Sequence, residues 1–288
     1  MRRALFALVL VMISVGLEAQ ILAPPQAITD PKQIASKPNA QIEARSLTIE
    51  KLFMTRQIGG ATWSPDGKSL AFISNMSGRN NLWLVPADAG FPVQLTVSDQ
   101  RQTHPAWSPD GKWIAFQSDY DGDEQWDIFL VSPKSGKVVN LTQTREIAEQ
   151  DPTWSADGRY LAYEVKAKTS AAYEIDVYDM IMREVKHITS NTPQDKGNYN
   201  PIWSKDGKYI VYTQEQAKGT DSNIFIADLA SGQSTLLTPH DGEQLFSAND
   251  LSPDGKSVLL TSNATNGYEN IGLLSIATKK ITWLTKDT

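Results

Sequence analysis

The sequence predicts an all-β protein, a β-propeller of four-stranded antiparallel blades with five blades present. Three observations predict it. The phrase W-S-P-D-G-K stands at 63–68 and 107–112, with near-copies at 154–159, 203–208 and 251–256. A second marker, Leu-Thr or Ile-Thr, ends each unit at Thr96, Thr142, Thr189, Thr238 and Thr285, 33 to 35 residues after the first. Between the markers, short apolar runs alternate with turn residues, the pattern of strand–turn–strand. A period of about 45 residues with four strands is the signature of propeller blades.

The chain opens with MRRALFALVLVMISVGLEAQ: Arg2 and Arg3, then an uncharged, mostly apolar run from Ala4 to Leu17. Such a run is short for a membrane-spanning helix and reads as a secretory signal peptide, 1–19, removed near Ala19. The expected location is therefore periplasmic or secreted, with no membrane contact beyond export. Residues 20–57 read as a Pro-rich lead-in, with Pro24, Pro25, Pro31 and Pro38 preventing a long helix or a central strand. The blades are placed at about 58–98, 104–144, 151–191, 200–240 and 248–288.

Within each unit, Pro sets φ early in the turn, Asp bonds its own backbone, and Gly takes a positive φ. Asp66, Asp110, Asp157, Asp206 and Asp254 are accordingly read as turn residues, not as a catalytic series. Trp63, Trp107, Trp154 and Trp203 are read as packing residues between blades, with Leu251 in the fifth position. After each turn come apolar triplets such as Ile114-Ala115-Phe116 and Ile210-Val211-Tyr212, apolar on both faces. A lone sheet cannot bury both faces, whereas blades packed face to face can.

Net charge is −6 and cysteine is absent. The first gives no general attraction to nucleic acid. The second removes disulfides, thiolate metal sites and cysteine nucleophiles.

The repeat, with its I-A-F-type strand, the strand DIFLVS and the closing N-L-T, resembles the WD-like (Tol-type) propeller. That propeller occurs in the periplasmic protein of the Tol–Pal system. It is also the N-terminal propeller of prolyl oligopeptidase superfamily serine peptidases, of the acylaminoacyl peptidase and dipeptidyl aminopeptidase type. The opening SLTIEKLFMTRQIGGATWSPDGKSLAF is similar to the start of the exported peptidases. The resemblance implies a substrate-gating propeller in a peptide hydrolase whose catalytic α/β-hydrolase domain follows C-terminally. Its partners would be that domain and a peptide substrate. It implies six to eight blades, so that five make an incomplete propeller; a complete five-bladed ring is the alternative. No G-x-S-x-G nucleophile elbow occurs in the chain, so no catalytic residue is assigned within it and no cofactor is expected. The alternative function is a non-enzymatic periplasmic propeller that binds a protein or glycan partner, similar to the Tol–Pal protein.

The loops joining blades are the places for contact with substrate or partner, and Arg101, Arg145 and Glu149 are the candidates. Asp119, Asp121 and Asp123 alternate like the opening of an EF-hand loop. Glu124 at the sixth position and Leu130 at the twelfth break that pattern, which leaves them weak candidates for metal. His104 and His240 fall in loops and do not by themselves make a metal site. No Glu-Glu dipeptide, the amine-holding pair of dipeptidyl aminopeptidases, is present.

Overall fold

In the computed structural model, residues 55–286 are described. The signal peptide, most of the lead-in and the last two residues lie outside them. Among the described residues the regular structure is twenty strands in five four-stranded antiparallel sheets. Blade 1 holds β1 (Ile58–Trp63), β2 (Ser69–Ser74), β3 (Asn81–Pro86) and β4 (Val93–Gln94). Blade 2 holds β5 (Gln102–Trp107), β6 (Ile114–Ser118), β7 (Asp127–Val131) and β8 (Val138–Asn140). Blade 3 holds β9 (Ile147–Trp154), β10 (Tyr160–Ala167), β11 (Glu174–Asp179) and β12 (Glu184–His187). Blade 4 holds β13 (Lys196–Trp203), β14 (Tyr209–Gln216), β15 (Ser222–Asp228) and β16 (Ser234–Leu236). Blade 5 holds β17 (Phe246–Leu251), β18 (Ser257–Ser262), β19 (Asn270–Ser275) and β20 (Ile281–Trp283).

Every sheet runs in sequence order, as hairpins require. The S-P-D-G turn locks each first hairpin in one way. In blade 2 the Ser108 hydroxyl donates to Asp110 Oδ1 at 2.7 Å, and Asp110 Oδ1 accepts the Lys112 N–H at 3.0 Å. Ser108 Oγ also accepts the Trp113 N–H, and Gly111 sits at φ 69°. The same bonds recur around Asp66, Asp157, Asp206 and Asp254. An L-residue at that φ would be strained, which is why glycine recurs there. These hydrogen bonds hold the Asp157 carboxyl below its usual range, with Ser155 the main cause.

The second turn differs in blade 1. Ala89, not Gly90, carries the left-handed backbone, at φ 92°. In blades 3 and 5, Arg183 and Lys279 take the role that Gly136 and Gly232 play in blades 2 and 4.

The core is the set of faces between blades. The seam between blades 3 and 4 packs Ala162, Ile175 and Val177 against Ile210 and Tyr212. The seam between blades 4 and 5 packs Val211 and Ile224 against Val258 and Leu260. The doubly apolar strands are thus buried on both sides by neighbours. The first strands β1, β5, β9, β13 and β17 touch in succession and so line the axis. Blades 1 and 5 do not touch, so the five sheets form an open arc.

Candidate functional site: the axial channel and its loop face

Each first strand carries a bulge at the same place. In blades 1 to 4 the residue that opens it has a left-handed backbone: Gly60 (φ 55°), His104 (51°), Asp151 (54°) and Asn200 (55°). Asp, Asn and His tolerate this region better than most residues. At Gly60 a Cβ would come within 2.9 Å of the Pro105 ring, so a side chain is also excluded sterically. A bulge turns a side chain out of the ladder. Here it turns His104, Asp151 and Asn200 onto one cavity of about 620 Å³, lined also by Gly60, Pro105 and Glu164.

The bulges also join blade to blade. The N–H of Asp151 donates to Gln117 Oε1 at 2.8 Å, that of Asn200 to Glu164 Oε1 at 2.8 Å, and that of Ala248 to Thr213 Oγ1 at 3.1 Å. On the cavity wall His104 Nε2 stands 3.1 Å from Asp151 Oδ1. Burial pushes the Asp151 carboxyl up, opposed by His104. Burial likewise pushes Glu164 up to about 7, against the hydrogen bonds from Asn200 N–H and Gln150. The channel wall therefore carries a carboxyl that changes charge near neutrality.

The tryptophans lie at the seams. The indole N–H of Trp107 donates to the Thr62 carbonyl at 3.2 Å, that of Trp154 to Ala106 at 3.1 Å, and that of Trp203 to Thr153 at 3.1 Å. Each bond crosses to the preceding blade. Trp63, on the first blade, is 59% exposed.

On the loop face, Arg101 and Asp119 come together. Arg101 Nε lies 3.5 Å from Asp119 Oδ2 and Nη2 lies 3.3 Å from Glu124 Oε1, with the guanidinium 4.5 Å over the Trp126 ring. Arg145 stands over Tyr120 at 4.7 Å. Glu149 is placed differently from the loop position read in the sequence. It is 3% exposed inside β9, because that strand begins at Ile147 and the joining loop ends sooner. Burial pushes its carboxyl up to about 8. Asp121 accepts from Gln100 Nε2 at 3.2 Å, and Asp123 accepts the Gln125 N–H of its own turn at 2.9 Å. Asp119 Oδ1 accepts the Arg101 backbone N–H at 2.9 Å, while its buried Oδ2 has no hydrogen-bond partner. Among the described residues no group of three or more His, Asp or Glu side chains converges to hold a metal.

Two features escaped sequence reasoning. The closing threonines each accept the backbone N–H at the start of the blade's third strand: Leu82 to Thr96, Ile128 to Thr142, Ile175 to Thr189, Ile224 to Thr238 and Ile271 to Thr285, at 2.9–3.0 Å. The constant separation of 14 residues was the signal that could have found them. His240 is buried, with Nε2 2.8 Å from Asp221 Oδ1 and Nδ1 2.9 Å from the Thr238 carbonyl. It holds the loop that leads into blade 5, with its ring against Phe246 at 5.1 Å.

Comparison with known proteins follows the same repeat. The chain matches the family described as TolB beta propeller domain over residues 42–199. It matches the prolyl oligopeptidase N-terminal beta-propeller domain over 143–279. No curated protein matches the sequence. Among solved structures it is similar to TolB from Acinetobacter baumannii, with 23% identity and a TM-score of 0.54 over 81% of this chain and 53% of that one. It is similar to a prolyl endopeptidase with 11% identity and a TM-score of 0.65, over 82% of this chain and 37% of that one. It is similar to dipeptidyl peptidase 4 of Porphyromonas gingivalis with 13% identity and a TM-score of 0.61, over 80% of this chain and 40% of that one. The chain thus spans about half the length of the Acinetobacter protein and less of the peptidases. The propeller is one that prolyl oligopeptidase-type peptidases and TolB share, and since the first match takes in more than half of the residues, the chain belongs to the TolB beta-propeller family.

Proposed function

We propose that this propeller is the substrate-admitting part of an exported serine peptidase of the prolyl oligopeptidase type, working with an α/β-hydrolase domain C-terminal to it. The observation that carries the reading is the axial channel. Its wall mixes prolines and tryptophans with polar groups, and the bulges set His104, Asp151 and Asn200, with Glu164, on one space of about 620 Å³. With the ring closed by further blades, such a space would admit an extended peptide and reject a folded protein. The match to the peptidase propeller over 143–279 supports the same reading. The chemistry would be acyl transfer to serine followed by hydrolysis, with nucleophile, base and oxyanion donors all in the hydrolase domain. The signal-peptide pattern of residues 1–19 supports a periplasmic or secreted location.

The complete product of the gene is the material for the test. It should react with a serine-directed fluorophosphonate and cleave short acylated or proline-containing peptides while sparing folded proteins. His104→Trp should slow cleavage of peptides of ten or so residues and leave a small ester reporter unaffected. A product that is neither labelled nor active removes the reading. The match to the TolB propeller over 42–199 then favours the second one, a non-enzymatic periplasmic propeller that binds a protein or glycan partner through its loop face.

A further inference from the structure

The two ends of the arc differ in charge and in apolar content. The S-P-D-G turns and the second turns share one end, the turn face, since turns of both kinds from blades 3 and 4 (Asp157, Met182, Gly207 and Ala230) line one groove. The longer loops and the blade-to-blade connections lie at the other end, the loop face. The second turns of blades 2 to 5 are built alike. A backbone bond closes each at 2.8 Å: Gly136 N–H to Ser132, Arg183 to Asp179, Gly232 to Asp228 and Lys279 to Ser275.

That bond fixes which residues stand at the tip: Lys134-Ser135, Ile181-Met182, Ala230-Ser231 and Ala277-Thr278. Of these four tips, the one on blade 3 presents two large apolar side chains, and they are 70% and 59% exposed. Val185, beside them on β12, is also exposed. The tip is fixed in place. Asp179 Oδ1 accepts the N–H of Ile181 at 2.9 Å and of Met182 at 3.1 Å, while Oδ2 accepts from Arg159 at 2.8 Å. Met180 packs into the seam with blade 2, whereas Ile181 and Met182 contribute nothing to the core. Exposed apolar groups gathered on a rigid turn mark a contact surface.

The charge around this tip is positive. Lys134, Lys137, Arg183, Lys205, Lys279 and Lys280 are exposed on the turn face and form no ion pair among the described residues. The aspartates of the first turns do not offset them, being held by their own turns, as Asp110 is by Lys112 at 2.9 Å and by Ser108. Unpaired carboxylates on the turn face are Asp88 and Glu184. The loop face has the opposite character, with Asp195, Asp241, Glu243 and Glu269 exposed and unpaired. A chain of net charge −6 thus gathers its free cations at one end.

We propose that the turn face docks on an anionic lipid bilayer, with Ile181 and Met182 inserted at the headgroups and the basic turns of blades 2, 4 and 5 resting on the surface. The cations stand on four different blades, so the complementary partner is an extended anionic plane rather than a single acidic side chain. An apolar tip flanked by lysine and arginine is the pairing that interfacial binding uses, apolar burial adding to attraction by anionic headgroups. The acidic loop face sets the orientation by repulsion. The chain enters β1 and leaves β20 at the loop face, so a hydrolase domain joined there leaves the turn face clear. The inference does not depend on that domain. It goes beyond the export-only membrane contact expected from the sequence.

The test is flotation of the full chain with vesicles of phosphatidylcholine, with and without phosphatidylglycerol as about a third of the lipid. The wild type should float with the anionic vesicles and be released roughly tenfold as salt rises from about 50 to about 300 mM. Ile181→Ala combined with Met182→Ser reproduces the tip of blade 4. It should keep the wild-type Tm, because both side chains are exposed, and lose about tenfold in partitioning. Lys134→Gln, Lys137→Gln, Lys279→Gln and Lys280→Gln together should abolish the preference for phosphatidylglycerol. Residues 1–19 are common to every variant, so the differences report the turn face. Equal partitioning of the wild type and the tip variant overturns the proposal, as does equal flotation with pure phosphatidylcholine or none with either. Capture by soluble polyglutamate without retention on vesicles also overturns it, assigning the face to an acidic protein.

Discussion

Glu164 ties blade 3 to blade 4 through one oxygen, accepting the Asn200 N–H at 2.8 Å, while its other oxygen accepts from Gln150 at 3.1 Å. One seam earlier a glutamine, Gln117, performs the same task. The carboxylate therefore adds nothing to the bond that an amide lacks, and burial penalises its charge. Its ordinary value near 4.5 is pushed to about 7. Between those two values the folded chain holds a proton that the unfolded chain has lost. Stability from this group is full below about pH 4.5 and declines as pH rises to about 7. The loss has an upper bound of about 3 kcal/mol. Glu164→Gln should flatten that part of the pH profile, leaving the contribution of Asp151 in place. Urea midpoints measured from pH 4.5 to 8 check it; parallel profiles for the two proteins would show that Glu164 is charged throughout.

At the scale of the element, each blade is closed by a bond spanning 14 residues, from a strand N–H to the threonine of the closing marker. In blade 3 the Thr189 hydroxyl accepts the Ile175 N–H at 2.9 Å and donates to Glu174 Oε2 at 2.6 Å. Thr189→Val keeps the shape and removes both bonds, leaving a strand N–H without its acceptor. The expected cost is about 1–3 kcal/mol, read as a lower denaturation midpoint. A loss no larger than that of an exposed Thr→Val change would mean that water replaces the hydroxyl. The hairpins were legible in the sequence because their chemistry is local: Ser155, Asp157 and Gly158 hold one turn among themselves. The threonine marker was visible as a spacing, but its partner lies on another strand. The bulges were not read as such. In blades 2 to 4 the bulge residue is His, Asp or Asn followed by proline (His104-Pro105, Asp151-Pro152, Asn200-Pro201), a recurrence that marks the slot but not the backbone turn it makes. Glu149 was read as a loop residue because the polar run 143–151 carries no apolar alternation, although Ala148 and Glu149 are both buried in β9.

At the scale of the whole molecule, each blade rests on its neighbours and on little else, as in repeat arrays where stability is a sum of unit and seam contributions. Blade 3 has a seam on each side, closed by the Trp154 bond to blade 2 and the Trp203 bond from blade 4. Blade 1 has one seam, and the Trp63 ring that would close another is 59% exposed. Blade 5 also has one, with Ile271 and Leu273 left partly uncovered on its free side. Opening free energy should therefore fall from the centre to both ends of the arc. In hydrogen exchange of the 288-residue chain, β10 and β11 should be protected most, and β2 and β18 should exchange faster although they hold the same place within their blades. Substitution follows the same gradient. Trp154→Phe loses a bond across a packed seam and should cost about 1 kcal/mol, whereas Trp63→Phe should stay within about 0.5 kcal/mol of the wild type. Uniform protection across the five blades, or equal costs for the two tryptophans, would mean that the first blade is covered on its outer face, and the arc would then have to be redrawn as a closed or associated assembly.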